Sequence, residues 1–399
     1  MVEPSCIETI VLQPTPFCNI ACDYCYLPNR QDRSTMTLDT VQTVFERVFA
    51  SGWAAPFLNV IWHAGEPLVL PPRYYRDAFE RIARMLPPET GVRHAVQTNG
   101  MLISPDWCDL FLRYDVGVGV SIDGPRHLHD RHRRTRNGQG TFDRTLAGIR
   151  MLRERRVPFH VISVLSRDSL DDPDAYLDFY LAEGIDQVCF NVEESEGDHV
   201  SGLFARTDLL ERFSDFLQRF WRGARQSGRF TFVREIDGLL PRILRPEGTE
   251  MSNEQVTPFS MLNVACNGDV STFSPELLGL KDARYGDFIV GNVHRESLAA
   301  MRDSAAMRRM ARDIAQGVEA CREACPYFSV CGGGAPINKL TENGSFASAR
   351  TRFCELTQIV PTDIILDTLE RIDPASRFPP PPAPPSSIPP RATWHDPIA

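Results

Sequence analysis

Seven of the chain's eleven cysteines fall into two groups, Cys18, Cys22 and Cys25 near the start and Cys321, Cys325, Cys331 and Cys354 near the end. In a reducing compartment structural disulfides are rare, so a chain this rich in cysteine points to metal binding or catalysis. The first group is spaced C-x3-C-x2-C, and three thiolates is the informative number. Structural zinc takes four ligands, whereas three thiolates on a 4Fe-4S cube leave one iron open to an external ligand. The second group, C-x3-C-x5-C-x22-C, supplies four thiolates, enough to close a cluster completely or to satisfy tetrahedral zinc. On spacing alone both readings stand. Cys6, Cys108, Cys189 and Cys266 are scattered, and the first three are expected to be small buried hydrophobes.

The elements that must position these thiols are legible between residues 7 and 193. Short β-branched or apolar runs alternate there with amphipathic stretches of helical period, the pattern of β-α units around a parallel sheet. The predicted strands are Ile7–Gln13, Phe57–His63, His94–Thr98, Val116–Ile122, Phe159–Leu165 and Gln187–Val192, with helices such as Leu38–Ala50 and Phe142–Arg155 between them. Six units rather than eight predict an open, partial (β/α)6 barrel. The first cysteine group then directly follows the first strand, on the C-terminal rim where barrels carry their chemistry.

Cys18, Cys22, Tyr24 and Cys25 match the C-x3-C-x-aromatic-C motif of radical S-adenosylmethionine (SAM) enzymes, and other strand ends agree. Ala64-Gly65-Glu66-Pro67 resembles that family's Gly-Gly-Glu-Pro segment, with alanine at the first glycine. Gln97-Thr98-Asn99-Gly100, Ser121-Ile122-Asp123-Gly124-Pro125 and His129-Asp130-x-x-Arg133 also match. The resemblance implies a 4Fe-4S cluster on Cys18, Cys22 and Cys25 whose open iron chelates SAM. Reductive cleavage then yields methionine and a 5'-deoxyadenosyl radical. It implies further that Gly65 and Glu66 serve the ammonium end of SAM, Arg133 the carboxylate end, Asn99 and Ser121 its polar contacts, and Tyr24 the adenine through its backbone. The rest of the basic run from Arg126 to Arg136 reads equally well as a solvated face.

Behind such a barrel, the second cysteine group resembles the SPASM extension of peptide-modifying members. That likeness implies an auxiliary 4Fe-4S cluster on Cys321, Cys325, Cys331 and Cys354. The full SPASM pattern has seven cysteines and two auxiliary clusters, but Ala335 and Phe273 stand where two of them are expected and only Cys266 is left over. Two clusters in all are therefore expected, one binding SAM and one fully ligated by protein. A cluster without an open iron suits electron transfer. The segments 271–279 and 325–339 resemble the cyclophane-forming maturases associated with glycine-rich-repeat precursors. Those enzymes join an aromatic ring carbon to the β-carbon of a nearby residue in a ribosomally made peptide. Glu276 is the candidate base for the ring proton, with an exposed loop glutamate as the plain alternative. A sulfatase-type maturase, oxidising a Cys or Ser side chain to formylglycine, and a zinc-stabilised noncatalytic adaptor are the competing classes.

Composition bounds the remainder. The chain has 399 residues, 42% hydrophobic and 24% charged, with a net charge of -9. That profile suits a folded protein of several domains and speaks against nonspecific binding to nucleic acid or to an anionic membrane. No apolar run reaches membrane-spanning length and the N-terminus lacks a signal-peptide profile, so the cytoplasm is the default location. The expected division is a barrel over 1–205, a bridging helical region over 206–260, the cluster-binding extension over 261–372 and a proline-rich, disordered tail over 373–399, where ten of the last 26 residues are proline. With only 17 residues before Cys18, no separate leader-binding domain is expected there. The expected partners are a precursor peptide and an external one-electron reductant.

Overall fold

The computed structural model describes residues 6–197, 199–246 and 251–371; the proline-rich tail expected from residue 373 lies outside them. Six strands run parallel in chain order: β1 (Ile7–Leu12), β2 (Ala54–Trp62), β3 (Gly91–Thr98), β4 (Gly117–Ser121), β5 (Phe159–Leu165) and β6 (Gln187–Val192). β1 and β4 read as nearly continuous apolar runs because they are buried along almost their whole length. The connecting helices are α1 (Leu38–Ser51), α2 (Pro72–Met85), α3 (Pro105–Arg113), α4 (Arg126–His132), α5 (Phe142–Glu154) and α6 (Pro173–Glu183).

α1 shows how sequence builds such a unit. Thr37 caps its start by accepting from the Thr40 N–H at 3.0 Å, and Gly52, at φ 71°, ends it in the left-handed region. Val41, Val44, Phe45 and Val48 recur at helical spacing and are fully buried. Each contributes about 1.5–3 kcal/mol of apolar burial. Trp62, Tyr75 and Phe79 extend the core between β2 and α2, with His94 stacked on Phe79 at 4.0 Å between ring centroids.

The sheet does not stop at six strands. After α7 (Leu209–Ser227), β7 (Phe232–Val233) pairs parallel to β6. On the other flank, β8 (Met261–Val264) pairs parallel to β1, followed by the antiparallel β9 (Asp269–Thr272) and β10 (Gly291–Asn292). The resulting order is β10-β9-β8-β1-β2-β3-β4-β5-β6-β7. The chain beyond residue 230, including part of the bridging region expected to be helical, thus contributes strands to both flanks of the sheet. The open edge of β1 presents N–H and C=O groups that need partners, and Met261–Val264 supply them. Side chains stitch the same junction: Arg47 Nε donates to the Val293 carbonyl at 3.0 Å, and Gln13 Nε2 to that of Pro275 at 3.2 Å. Beyond it lie helices Ala305–Ala324, Pro336–Asn343 and Val360–Arg371, the last packed on α7. No helix among the described residues is long and apolar enough to cross a membrane.

Candidate active site

The C-terminal ends of β1 to β6 open onto a cavity of about 500 Å3 whose far wall comes from the extension. Cys18, Cys22 and Cys25 all line it, on a loop tied to the segment after α4. The Ala21 N–H donates to the Arg134 carbonyl at 2.7 Å, and Arg136 Nη2 to the Cys18 carbonyl at 2.7 Å. The basic run is therefore partly structural, since its backbone and Arg136 hold the thiol loop. Burial pushes the Cys18 and Cys22 thiols up to about 12, and the neighbouring Glu66 and Cys25 push Cys18 the same way. Such thiols ionise only beside a strong positive charge, which bound iron supplies. Among the described residues, no group of three or more His, Cys, Asp or Glu side chains is placed to hold a single metal ion.

Glu66 is 1% exposed. Its Oε1 accepts from the Leu68 N–H at 2.9 Å and from Thr98 Oγ1 at 2.7 Å, and its Oε2 from the Asn99 N–H at 2.7 Å. Burial raises its pKa, and these three donors pull against that rise. Gly65 sits at φ 58°, where a Cβ would lie 2.5 Å from the carbonyl oxygens of Phe17 and Thr15, so no other residue fits. Ala64 holds φ 72°, a left-handed conformation that costs a residue with a Cβ about 1–2 kcal/mol. Asn99 Nδ2 donates to Asn19 Oδ1 at 2.7 Å, joining this loop to the cysteine loop. Ser121 lines the same cavity and accepts from Gln97 Nε2 at 2.9 Å.

Tyr24 and Arg133 meet at Asp123. The Tyr24 hydroxyl donates to Asp123 Oδ2 at 2.6 Å, and Arg133 Nε to the same oxygen at 2.9 Å. The Val164 N–H donates to Oδ1 at 2.9 Å. Arg133 lines the cavity although it is only 7% exposed. Asp123, which the sequence reading placed in a motif without a role, fixes the direction of that guanidinium. Burial works against the Asp123 charge, but Arg133 and His129 overcome it and hold the carboxyl below its usual range.

Glu276 lines the opposite wall, in a 3-10 turn, Pro275–Leu277, that follows β9, and accepts from the Ser274 hydroxyl. Beside it stand residues that the sequence reading missed. Glu194 and Glu196, on the loop after β6, share the cavity with Tyr26 and with Asn338, whose Nδ2 donates to Glu194 Oε2. Their signal was available: an acidic run directly after a strand, on the rim that carries chemistry.

The second thiol group sits next to this wall without lining it. Cys321 lies in the last turn of helix Ala305–Ala324 and Cys325 caps that helix; Cys331 ends a single turn, and Cys354 precedes a π-turn over Glu355–Ile359. The four act on one another: Cys325 and Cys321 raise the Cys331 thiol, and Cys331 and Cys321 raise that of Cys354, both after burial. Backbone N–H groups already point at the sulfurs, from Gly333 and Gly334 to Cys331 and from Thr351 to Cys354 at 3.2 Å. Gly332, Gly333 and Gly334 all have positive φ, which lets the chain fold that tightly around a thiol. Phe353 and Ala335 carry the group's surroundings to the cavity surface. Cys266 stands apart, next to Asp32 and Asp269. Of the scattered cysteines, Cys108 and Cys189 are buried as expected, but Cys6 is exposed because it precedes β1 rather than lying within it.

Comparison with known proteins agrees with this geometry. The Radical SAM superfamily model matches residues 12–180. The uncharacterized protein sll1766 of Synechocystis sp. is 39% identical over 368 residues, 90% of this chain and 92% of that protein. The serine-type anaerobic sulfatase-maturating enzyme of Klebsiella aerogenes is 31% identical over 232 residues, which is 57% of either chain. Among solved structures, anSMEcpe with bound AdoMet and Cp18Cys peptide superposes with a TM-score of 0.73 at 18% identity, covering 91% of this chain and 98% of that one. Streptococcus suis SuiB bound to precursor peptide SuiA gives 0.57 at 15% identity, covering 88% and 76%. These structural likenesses concern the fold. The chain belongs to the radical SAM superfamily and is an enzyme, which sets aside the noncatalytic adaptor reading. Membership implies a 4Fe-4S cluster and SAM, and three thiols on one cavity wall beside a carboxylate and a guanidinium are a donor set that fits them.

Proposed function

We propose that this enzyme modifies a ribosomally made peptide, forming a carbon–carbon cross-link, a cyclophane, between an aromatic ring and the β-carbon of a nearby residue. The observation that carries the reading is the single cavity in which Cys18, Cys22, Cys25 and Glu66 on the barrel share walls with Glu276 on the extension. The names of the relatives point to peptide substrates: a sulfatase-maturating enzyme, and structures bound to peptides. Ala335 and Phe273, where a second auxiliary cluster would need thiolates, favour the cross-link over sulfatase-type oxidation.

In this reading Cys18, Cys22 and Cys25 hold the SAM-binding cluster, and Cys321, Cys325, Cys331 and Cys354 hold a second one. Gly65 and Glu66 receive the SAM ammonium, Arg133 its carboxylate, Asn99 and Ser121 its remaining polar groups, and the Tyr24 backbone its adenine. When bound, these groups supply a radical able to remove a hydrogen atom and an acceptor for one electron. The substrate then loses one hydrogen atom from the β-carbon, and one proton and one electron from the ring. Glu276 takes the ring proton. The apolar part of the wall, with Ile337 and Phe353, excludes water from the reacting carbons.

The test is an anaerobic incubation of reconstituted enzyme, SAM, a reductant and a candidate precursor peptide. A product lighter by two hydrogens, uncleaved between the joined residues on fragmentation and inert to a hydrazide probe, supports the cross-link. A hydrazide-reactive product contradicts it and establishes the formylglycine alternative, which the sulfatase-maturating relatives support. Glu276→Gln should abolish the product while SAM cleavage continues; unchanged product formation removes Glu276 from the base role.

A further inference from the structure

The basic run from Arg126 to Arg136 contains two kinds of residue. Arg126, Arg131 and His132 pair with Asp143, Asp168 and Asp23, and Arg133 is buried against Asp123. Arg134 and Arg136 are exposed, and their guanidiniums bond to backbone carbonyls instead: Arg134 Nε to that of Asp130 at 2.9 Å, and Arg136 Nη2 to that of Cys18 at 2.7 Å. Two more arginines stand beside them, on the segment that follows the first thiol group. Arg33 is exposed, and its guanidinium lies 4.4 Å from the centre of the Phe17 ring, with that of Arg136 on the same ring at 5.1 Å. Arg30 Nη1 donates to the Cys22 carbonyl at 2.9 Å, and the Arg30 carbonyl accepts from Arg136 Nη2.

The four guanidiniums thus surround residues 17–22, and among the described residues no carboxylate lies within ion-pair distance of any of them. The acids nearest in the chain are engaged elsewhere. Asp23 holds His132, Asp32 accepts from the N–H and hydroxyl of Ser34, and Asp130 accepts from the Phe142 N–H at 2.9 Å. A solvated face needs no order in its side chains, whereas each of these four is fixed by a ring or a carbonyl. The chain as a whole carries a net charge of -9, so the patch opposes the charge of the rest of the molecule and is a local target for an acidic partner. None of the four lines the cavity that Cys18, Cys22 and Cys25 share with Glu276.

Reductive cleavage of SAM consumes one electron per radical, and that electron enters from outside the chain. A basic rim on the thiol loop raises the encounter rate of an acidic carrier and orients it. We propose that Arg30, Arg33, Arg134 and Arg136 form the docking surface for an acidic one-electron carrier protein, of flavin or iron-sulfur type, which is oxidised by one electron as the cluster on Cys18, Cys22 and Cys25 is reduced by one. The proposal rests on membership of the radical SAM superfamily and not on the cross-link, so the nature of the product does not decide it. An acidic leader peptide is the competing occupant. The carrier is favoured because the arginines grip the carbonyls of two thiol-bearing residues and stand outside the substrate cavity.

The experiment uses the full-length reconstituted enzyme, with flavodoxin as the probe. Calorimetry with oxidised flavodoxin should show affinity falling at least about tenfold as salt rises from about 0.01 M to about 1 M, over which the Debye length shrinks from about 30 Å to about 3 Å. Arg33→Glu/Arg134→Glu, which leaves Arg30 and Arg136 to hold the thiol loop, should lower the affinity at low salt at least about tenfold. SAM cleavage driven by reduced flavodoxin should slow by a similar factor, while photoexcited deazariboflavin, an uncharged reductant, should drive it at the wild-type rate. Salt-independent binding by the wild type, or wild-type affinity in the variant, overturns the proposal. A variant that keeps its flavodoxin affinity but loses precursor-peptide binding assigns the patch to the leader and overturns it as well. If iron content shows that the double reversal has lost its cluster, Arg33→Gln should still lower the flavodoxin affinity, and an unchanged value overturns the proposal.

Discussion

Tyr24, between the second and third cysteines of the first group, donates its phenol to Asp123 at 2.6 Å. This bond ties the thiol loop to the end of β4, and Arg133 completes it from below at 2.9 Å. The first prediction concerns this triad. Asp123→Ala should cost about 3–5 kcal/mol, because it leaves the Arg133 charge buried and unpaired. Tyr24→Phe should cost about 1.5–3 kcal/mol, the value of a hydrogen bond to a charged group. Urea unfolding of the reconstituted protein measures both. Because Asp123 is held below its ordinary range, its contribution is fully present above about pH 3.9 and declines as pH falls through the lower folded value.

A second prediction follows from the contact between Gly65 and the carbonyls of Thr15 and Phe17. Gly65→Ala adds a Cβ where only 2.5 Å is available, at φ 58°, so the loop after β2 must move and take Glu66 with it. Equilibrium dialysis should show SAM affinity reduced at least about tenfold, equivalent to about 1.4 kcal/mol. Glu66→Gln should do the same, because its NH2 can no longer accept from the Leu68 or Asn99 N–H that the carboxylate now holds, and in both variants the cysteine-bound iron should be retained.

Buried histidines set the third. Burial lowers His94 to about 3 and His129 to about 4, so both stay neutral in the folded chain while the unfolded chain protonates them near 6.5. The unfolded state then binds more protons between these values, and stability rises with pH across that window. Melting temperature should therefore fall as pH is lowered from about 6.5 towards 4. His94→Phe, which keeps the stacking on Phe79, should flatten the slope; an unchanged slope would show that His94 is not protonated selectively on unfolding.

The six parallel strands were legible because each is a run of five to nine residues rich in apolar or β-branched types and bounded by turn residues, and the Cys, Gly-Glu-Pro, Thr-Asn-Gly and Ser-Ile-Asp segments mark their ends. β2 starts earlier than expected, at Ala54 rather than Phe57, since its first turnward residues carry no alternation: Phe57 is 52% exposed. The attachment of β8 to β1 was not legible. A four-residue run such as Met261–Val264 has no measurable period, and its partner lies far away in sequence. For the same reason Asp123 could be recognised in a motif but not as the anchor of Arg133, and Asn338 could not be placed against Glu194. Those relationships exist only after the chain folds.

The central claim is that the two thiol groups hold two iron-sulfur clusters within one radical SAM enzyme. Iron, sulfide and zinc per chain should be measured in anaerobically reconstituted protein, alongside a Cys18→Ala, Cys22→Ala, Cys25→Ala variant. Two 4Fe-4S clusters predict about eight irons falling to about four, with no zinc. About four irons falling to none, with zinc retained by the variant, would contradict the second cluster and the electron-accepting role assigned to Cys321, Cys325, Cys331 and Cys354.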